Sequence, residues 1–238
     1  MAQKLARNLI PVYFAFSFQS SEAGITSINK QFSSMINETY NDDRSVSFML
    51  GAQLQNLDHS GCYCYFDANY HLGKSQPVSK VDSWCKMLHE GYTCAILDSE
   101  IEGYECVPWE VDYTPGWHVG DDKPALRDYC EGMNYGDPCA IDACIVESYF
   151  LILAFQDFVA LNSHDTDLLH SNGFDPSERC PINSGRQSEY ECCGEYPDRK
   201  AFKTHGGEKD CCQNNEVFNV VTQSCCIDGT VQDSCHHI

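Results

Sequence analysis

The fold of the chain is decided by Pro77-Val-Ser-Lys-Val-Asp-Ser-Trp-Cys-Lys-Met-Leu-His-Glu-Gly-Tyr92. The apolar side chains in this stretch recur at the 3.6-residue spacing of one helix face. We therefore predict an amphipathic helix from Ser79 to about Tyr92, with Pro77 just ahead of its first turn. Cys85 lies on the apolar stripe, where a cross-link would join this helix to the core.

Further helices are predicted on both sides of this stretch. One runs from about 140 to 161 and is apolar nearly all round, as is typical of a helix at the centre of a core. Its longest apolar run, 145–155, contains Glu147 and is about half the ~18–20 residues that a membrane-spanning helix needs. No transmembrane segment is therefore predicted. A short amphipathic helix is predicted over Ser45–Leu57, and turn-forming residues predict loops at 108–109, 114–117 and 121–122.

Cysteine content predicts the compartment in which the chain works. The 238 residues include sixteen cysteines, and the cytosol keeps thiols reduced, so this density is typical of a secreted protein. Zinc is the alternative, but adjacent cysteines do not easily chelate one tetrahedral ion. The sequence favours disulfides, in a pairing that it does not define, for Cys62, Cys64, Cys85, Cys94, Cys106, Cys130, Cys139, Cys144, Cys180, Cys192, Cys193, Cys211, Cys212, Cys225, Cys226 and Cys235.

Net charge limits the classes of partner. The chain carries 35 acidic and 15 basic residues, for a net charge of −20. Nucleic acid is excluded as a partner because phosphate binding needs clustered Lys and Arg. The acidity favours a role in solubility, with weak calcium binding as the alternative. No cofactor is required by this composition.

The N-terminal segment, residues 1–23, has two interpretations. A basic start, an apolar middle and a small-residue site near Ala23 are typical of a signal peptide. The apolar middle also alternates, with Ile10 and Phe18 on one parity, which is typical of a strand that a neighbouring subunit would receive. A linker with the short helix follows over 24–60. It contains the sequon Asn37-Glu-Thr39, which predicts an N-linked glycan on a secreted chain.

The remaining chain divides into a helical core, 61–163, and a cystine-rich module, 164–238. In the module, adjacent cysteine pairs at 192–193, 211–212 and 225–226 each start a turn that leads into a short β-prone run. Large apolar residues are few there, so cross-links must replace a core. The predicted fold class is a small disulfide-rich protein: a stapled α-helical core followed by a mostly irregular, short-β C-terminal module.

The segment Gly61-Cys-Tyr-Cys64, with Gly73, Pro77-Val78, Asp82-x-x-Cys85 and His89-Glu90, resembles secretory phospholipase A2. That family has a glycine-rich calcium loop between close cysteines and a helix that carries a His and an Asp. The resemblance implies that His89 is the general base, Glu90 a calcium ligand and Glu147 the carboxylate that orients the His. Cys130, Cys139 and Cys144 would belong to the second helix. The resemblance covers about a third of the chain.

The chain departs from that family at the positions that carry its chemistry. The loop between Cys64 and Pro77 is longer and nearly lacks the glycines whose carbonyls would wrap a calcium ion. His89 comes one residue later than in the family, which turns its side chain by about 100°. We expect His89 at the edge of the apolar stripe and Glu90 on the solvent side.

The C-terminal module resembles galaxin, a secreted protein of coral skeletons built from repeats with adjacent cysteines. Cys192-Cys193-Gly and Cys225-Cys226-x-x-Gly-Thr-Val carry this resemblance. It implies an extracellular matrix-type module without catalytic chemistry.

Three function classes follow from these patterns. The leading hypothesis is an extracellular structural protein that assembles with copies of itself into a surface filament, appendage or matrix. The first alternative is a secreted calcium-dependent phospholipid hydrolase that uses His89 and Glu147. The second is a binding module that kept the scaffold and lost the chemistry.

Overall fold

The computed structural model describes residues 28, 31, 57–66, 68–119, 122–157, 166–181 and 190–235. The N-terminal segment, the sequon at Asn37 and most of the helix predicted over Ser45–Leu57 lie outside these residues. Leu57 is helical and 1% exposed.

Among the described residues, three long helices supply most of the core. Helix α1 spans Lys80–Glu102, α2 spans Lys123–Met133 and α3 spans Pro138–Gln156. Helix α1 begins after Ser79, whose side chain accepts a hydrogen bond from the Asp82 N–H, and ends where Gly103 adopts a φ of 82°. Helices α2 and α3 have the same start, an Asp N-cap followed by Pro in the first turn.

Helix α1 is longer than the predicted range of 79–92, and it continues to bury small side chains beyond Tyr92. Gly91 lies against α3 so closely that a Cβ there would meet Val146 Cγ1 at 2.7 Å. Beyond Tyr92 the helix still buries Cys94, Ala95 and Ser99. These small side chains give little hydrophobic signal in the sequence, yet they pack where the helices approach each other.

Helix α3 is the predicted central helix. Twelve of its residues are buried, among them Phe150 and Leu151, each 0% exposed. Among the described helices it alone is long and apolar enough to cross a membrane, but 67% of its most apolar window is buried inside the protein. It contains Glu147 and packs mainly against α1, as the core helix of a globular domain does.

Helix α2 was not among the predicted helices. Only Leu126 and Cys130 of this helix are buried. The sequence nevertheless carried its signal, since Leu126, Cys130 and Met133 recur at helical spacing after the Asp122 N-cap. A short 3-10 helix, Trp117–Val119, precedes it within the predicted loop. Three further short helical segments are Ala68–Leu72, Thr166–Leu168 and His170–Asn172, and α4 is a single turn at Pro176–Arg179.

Three antiparallel hairpins follow, as the short-β prediction for the module expected. Strands β1 (Tyr190–Cys193) and β2 (Lys200–Lys203) pair, with Cys192 opposite Ala201. Strands β3 (Lys209–Cys211) and β4 (Val217–Asn219) form the second hairpin, and β5 (Ser224–Cys225) and β6 (Val231–Gln232) the third. Each adjacent cysteine pair lies where the first strand of a hairpin enters its turn.

All sixteen cysteines form eight disulfides, which confirms the disulfide-rich prediction. Two of them, Cys64–Cys85 and Cys130–Cys144, staple loops and helices of the core, and Cys106–Cys139 joins the segment after α1 to the start of α3. Cys62–Cys180 and Cys94–Cys192 span 118 and 98 residues and attach later segments to the core. The other three, which we call the disulfide ladder, are Cys193–Cys211, Cys212–Cys225 and Cys226–Cys235.

The ladder has a regular connectivity. The second cysteine of each adjacent pair bonds to the first cysteine of the next pair, and the last bond closes on Cys235. Since Cys192 bonds to Cys94 of α1, the ladder continues covalently into the helical core. Hairpins that bury few large side chains are thereby held in sequence by cross-links.

Candidate functional site

The residues that the phospholipase resemblance selects do not form one hydrogen-bonded site. His89 is 8% exposed, its ring meets the Tyr63 ring edge-on with centroids 5.6 Å apart, and its Nδ1 faces Gly73. Glu147 is 0% exposed and lies on α3. Although both residues are within the described part of the chain, no hydrogen bond there joins His89 to Glu147.

Glu147 instead belongs to a buried network with two tyrosines. The Tyr92 hydroxyl donates to its Oε1 at 2.6 Å, and the Tyr113 hydroxyl donates to its Oε2. The Gln31 amide reaches Oε2 at 3.4 Å. Burial raises the pKa of Tyr92 well above its ordinary value, and the Glu147 carboxyl adds to the effect. This network joins α1, α3 and two distant segments inside the core.

Glu90 is more enclosed than its helix position predicts. Its side chain is 21% exposed and pairs with Lys86 at 3.7 Å. Burial raises the pKa of Glu90, while Lys86 and Lys200 act in the opposite direction. The expected solvent-side position was wrong because β2 packs against α1 and brings Lys200 close to Glu90.

The loop Ser60–Cys64 directs its backbone N–H groups towards a carboxylate. Asp82 of α1 is 0% exposed and accepts from the Tyr63 N–H at 2.8 Å, the Cys62 N–H at 3.1 Å and the Val78 N–H at 2.9 Å. A buried charge with several charge-assisted hydrogen bonds fixes the chain around it. Asp82 was noted in the sequence only as part of a motif; its position three residues after the N-cap Ser79 was the available signal.

The carbonyl oxygens of the same loop already accept hydrogen bonds within the protein. The Ser60 carbonyl accepts a hydrogen bond from the Cys64 N–H, and the Cys64 carbonyl accepts one from the His59 N–H. The Cys62 and Tyr63 carbonyls receive the Lys74 and Tyr65 N–H groups. His170 Nε2 lies 2.9 Å from the Gly61 carbonyl. A calcium loop needs carbonyl oxygens that converge on the ion, whereas here each is engaged with a different partner.

Gly61 is required by this arrangement. It has a φ of +58°, and a Cβ there would lie 2.7 Å from the Asp82 carboxyl carbon. Gly103 also has a positive φ, of +82°, but nothing lies within 4 Å of its Cβ position. A side chain at Gly61 would therefore bring both backbone strain and a steric clash, whereas a side chain at Gly103 would bring backbone strain alone.

We expect Gly61→Ala to destabilise the protein by about 3 kcal/mol or more, since strain and overpacking combine. Gly103→Ala, the matched control, should cost about 1 kcal/mol from backbone strain alone. Denaturant unfolding of the non-reduced proteins measures both. Equal costs would show that the approach of Gly61 to Asp82 is not close in solution.

A cleft of about 260 Å³ lies between the helical core and the first hairpin. Arg199 bridges it, with its guanidinium 2.7 and 2.9 Å from the Asp98 carboxylate. Arg127 pairs with Glu195 at 2.8 Å. The other residues that line the cleft are Glu131, Ile141, Asp142, Ile145, Gly194 and Tyr196.

Asp142 is the electrostatic centre of the cleft. Burial raises its pKa to about 7, and the carboxylates of Asp98, Glu102 and Glu131 add to the rise. Arg199 acts in the opposite direction. Asp142 was not among the predicted site residues, although a carboxyl group on a largely apolar helix was a visible signal.

Within the described residues, no group of three or more His, Cys, Asp or Glu side chains is placed to hold a metal ion. The predicted ligand Glu90 therefore belongs to no such group of described residues. The part of the chain that resembles a calcium-dependent hydrolase is organised around internal hydrogen bonds.

No protein-family model, curated protein or solved structure matches this chain. Its function must therefore be argued from its own residues. The fold itself is a small disulfide-rich one, and a cross-link density of this kind is typical of secreted or extracellular proteins.

Proposed function

We propose that the chain is an extracellular structural protein, a subunit that assembles with copies of itself in a surface filament, appendage or matrix. The observation that carries this proposal is the disulfide ladder, which continues through Cys94–Cys192 into the core. A covalently continuous module resists unfolding without needing a large core, which suits a protein that serves mechanically outside the cell.

The charged contacts between module and core support the same proposal. Lys123 pairs with Asp198 at 2.6 Å, and Arg127 with Glu195. Arg199 forms a two-pronged pair with Asp98. Bidentate Arg–carboxylate pairs fix geometry better than single contacts do. The first hairpin is thus held against α1 and α2 by ion pairs as well as by a disulfide.

Electron microscopy of the natively secreted, non-reduced protein tests the proposal. We expect regular filaments or large polymers with a subunit that fits one chain. The double variant Cys94→Ser with Cys192→Ser removes the bond between module and core and serves as a comparison in the same preparation. Small discrete particles at every concentration tried would contradict self-assembly.

The hydrolase alternative makes a separate prediction. We expect no calcium-dependent hydrolysis of phospholipid vesicles, and no difference between the unmodified protein and His89→Ala, because His89 and Glu147 contact different neighbours. In the family that the chain resembles, a carboxylate orients the base, whereas Glu147 accepts hydrogen bonds from Tyr92 and Tyr113. Turnover that needs calcium and disappears in His89→Ala would establish the enzyme and displace the structural proposal.

A further inference from the structure

We propose that one end of the helical core docks a basic polypeptide segment that carries apolar side chains. This end comprises the last turns of α1 and α2 and the first turn of α3. The inference goes beyond self-assembly and does not depend on it, because the partner is a chain of opposite charge. We call the surface the acidic end face and define it by Ile101, Glu102, Glu131, Met133, Tyr135 and Asp137.

The three helix ends meet at this face. The disulfide Cys106–Cys139 joins the segment after α1 to the start of α3. Met133 ends α2, and only four residues separate it from Pro138, where α3 starts. The end of α1 is therefore held close to the start of α3 by a disulfide, and the end of α2 is held close to it by a short connection.

The surroundings of Tyr104 reflect the closeness of the end of α1 to the start of α3. Burial raises the pKa of Tyr104 to about 12, and the carboxylates of Asp142, Glu102, Asp98 and Asp137 add to the rise. Those groups come from α1, α3 and the residue that caps α3. Carboxylates influence a phenol in this way only when they lie near it.

Three large apolar side chains of the same face are exposed to solvent. Tyr135 is 91% exposed, Ile101 is 83% exposed and Met133 is 52% exposed. Single exposed apolar residues need no explanation, but three beside the helix ends of one end of the core offer a partner apolar contacts among carboxylates. Tyrosine and methionine are also enriched where proteins meet.

The charge of the face defines its partner. The sequence has no Lys or Arg from 87 to 122, and none from 128 to 178. These two stretches supply all six residues of the acidic end face. The described cations beside this face are already paired, Arg199 with Asp98 and Arg127 with Glu195. A partner that brings Lys or Arg would meet uncompensated negative charge.

A polypeptide fits this face better than a metal ion. Among the described residues no three acidic, His or Cys side chains are grouped to hold a metal. The carboxylates are instead spaced around exposed apolar side chains. An open tyrosine ring can stack under a guanidinium or ammonium group, which adds a cation–π contact to the ion pairs.

Fluorescence anisotropy of a labelled Arg/Leu peptide, titrated with dispersed full-length, non-reduced protein at physiological ionic strength, tests the inference. Glu102→Gln with Glu131→Gln, and Ile101→Ser with Tyr135→Ser, should each weaken binding by about tenfold. Glu208→Gln with Asp233→Asn, and Val221→Ser with Ile227→Ser, are matched controls on the exposed C-terminal module. These controls should bind within about twofold of the unmodified protein.

Three outcomes would overturn the inference. Equal losses in the face variants and the controls would mean general attraction to an acidic chain. An Arg/Ser peptide that binds as tightly would remove the apolar contribution. The third outcome comes from calorimetry with calcium chloride. If the protein binds calcium but not the peptide, and Glu102→Gln with Glu131→Gln abolishes the calcium binding, the face is a metal site. Since binding is read on dispersed chains, failure here leaves the filament test unaffected.

Discussion

Asp82→Ala should destabilise the folded protein by about 4 kcal/mol or more, because three backbone N–H groups would lose a buried acceptor. These groups belong to Cys62, Tyr63 and Val78. The carboxylate is fully buried, so water cannot readily take its place. Denaturant unfolding of the non-reduced protein measures the loss.

A second readout of this variant is the disulfide pattern. Cys62 and Cys64 flank the loop that Asp82 holds, and they bond to Cys180 and Cys85. Peptide mapping of secreted Asp82→Ala should therefore reveal mispaired species. Asp122→Ala is the matched control, since Asp122 is an exposed N-cap that accepts one N–H at 3.1 Å. It should cost about 1 kcal/mol. A similar cost for both variants would contradict the role assigned to Asp82.

Asp142→Asn should make the protein more stable in mildly alkaline solution and flatten the dependence of its stability on pH. The folded-state pKa of Asp142, about 7, lies above the ordinary value of 3.8. A raised carboxyl pKa means that the protonated form favours the folded state. Stability is therefore full below pH 4 and falls as the pH rises towards 7.

The size of this effect follows from the shift. Between pH 4 and pH 8 the unmodified protein should lose about 2 to 4 kcal/mol through this group, with partial exposure favouring the lower figure. The Asn variant cannot ionise, and it keeps the shape of the side chain beside Arg199 and Asp98. Unfolding curves at pH 5 and pH 8 compare it with Asp128→Asn, an exposed change on α2. An unchanged pH dependence in Asp142→Asn would show that another group controls it.

Elements with a strong local signal were predicted well from the sequence. The apolar stripe around Cys85 and the all-round apolar character of α3 predicted both helices, although α1 extends ten residues beyond its predicted end, and the adjacent cysteine pairs predicted turns and short strands. These features depend on periodicity and turn chemistry within a short window. The cysteines could be assigned to disulfides because of their number and their adjacent pairs.

Features that depend on tertiary packing were not predicted. Gly91 shows as a contact only when Val146 of α3 lies against it. Glu90 is enclosed by a strand more than a hundred residues away in sequence. Asp82 gains its backbone N–H donors because Gly61, which has no Cβ, lets the loop approach the carboxylate. The residues next to Asp82 in the sequence do not show that approach. The position of His89 relative to Glu147 is a matter of helix packing, which spacing along one helix does not define.

The disulfide ladder also bears on how the chain is made. Its bonds close over 18, 13 and 9 residues, each reaching forward to the next cysteine pair. Such short loops can close as the chain enters an oxidising compartment, in the order in which the ribosome delivers it. Cys62 and Cys94 must instead wait for partners 118 and 98 residues later. The two long bonds of the core therefore cannot close before Cys180 and Cys192 have been synthesised, whereas every bond of the ladder needs only partners within the C-terminal module.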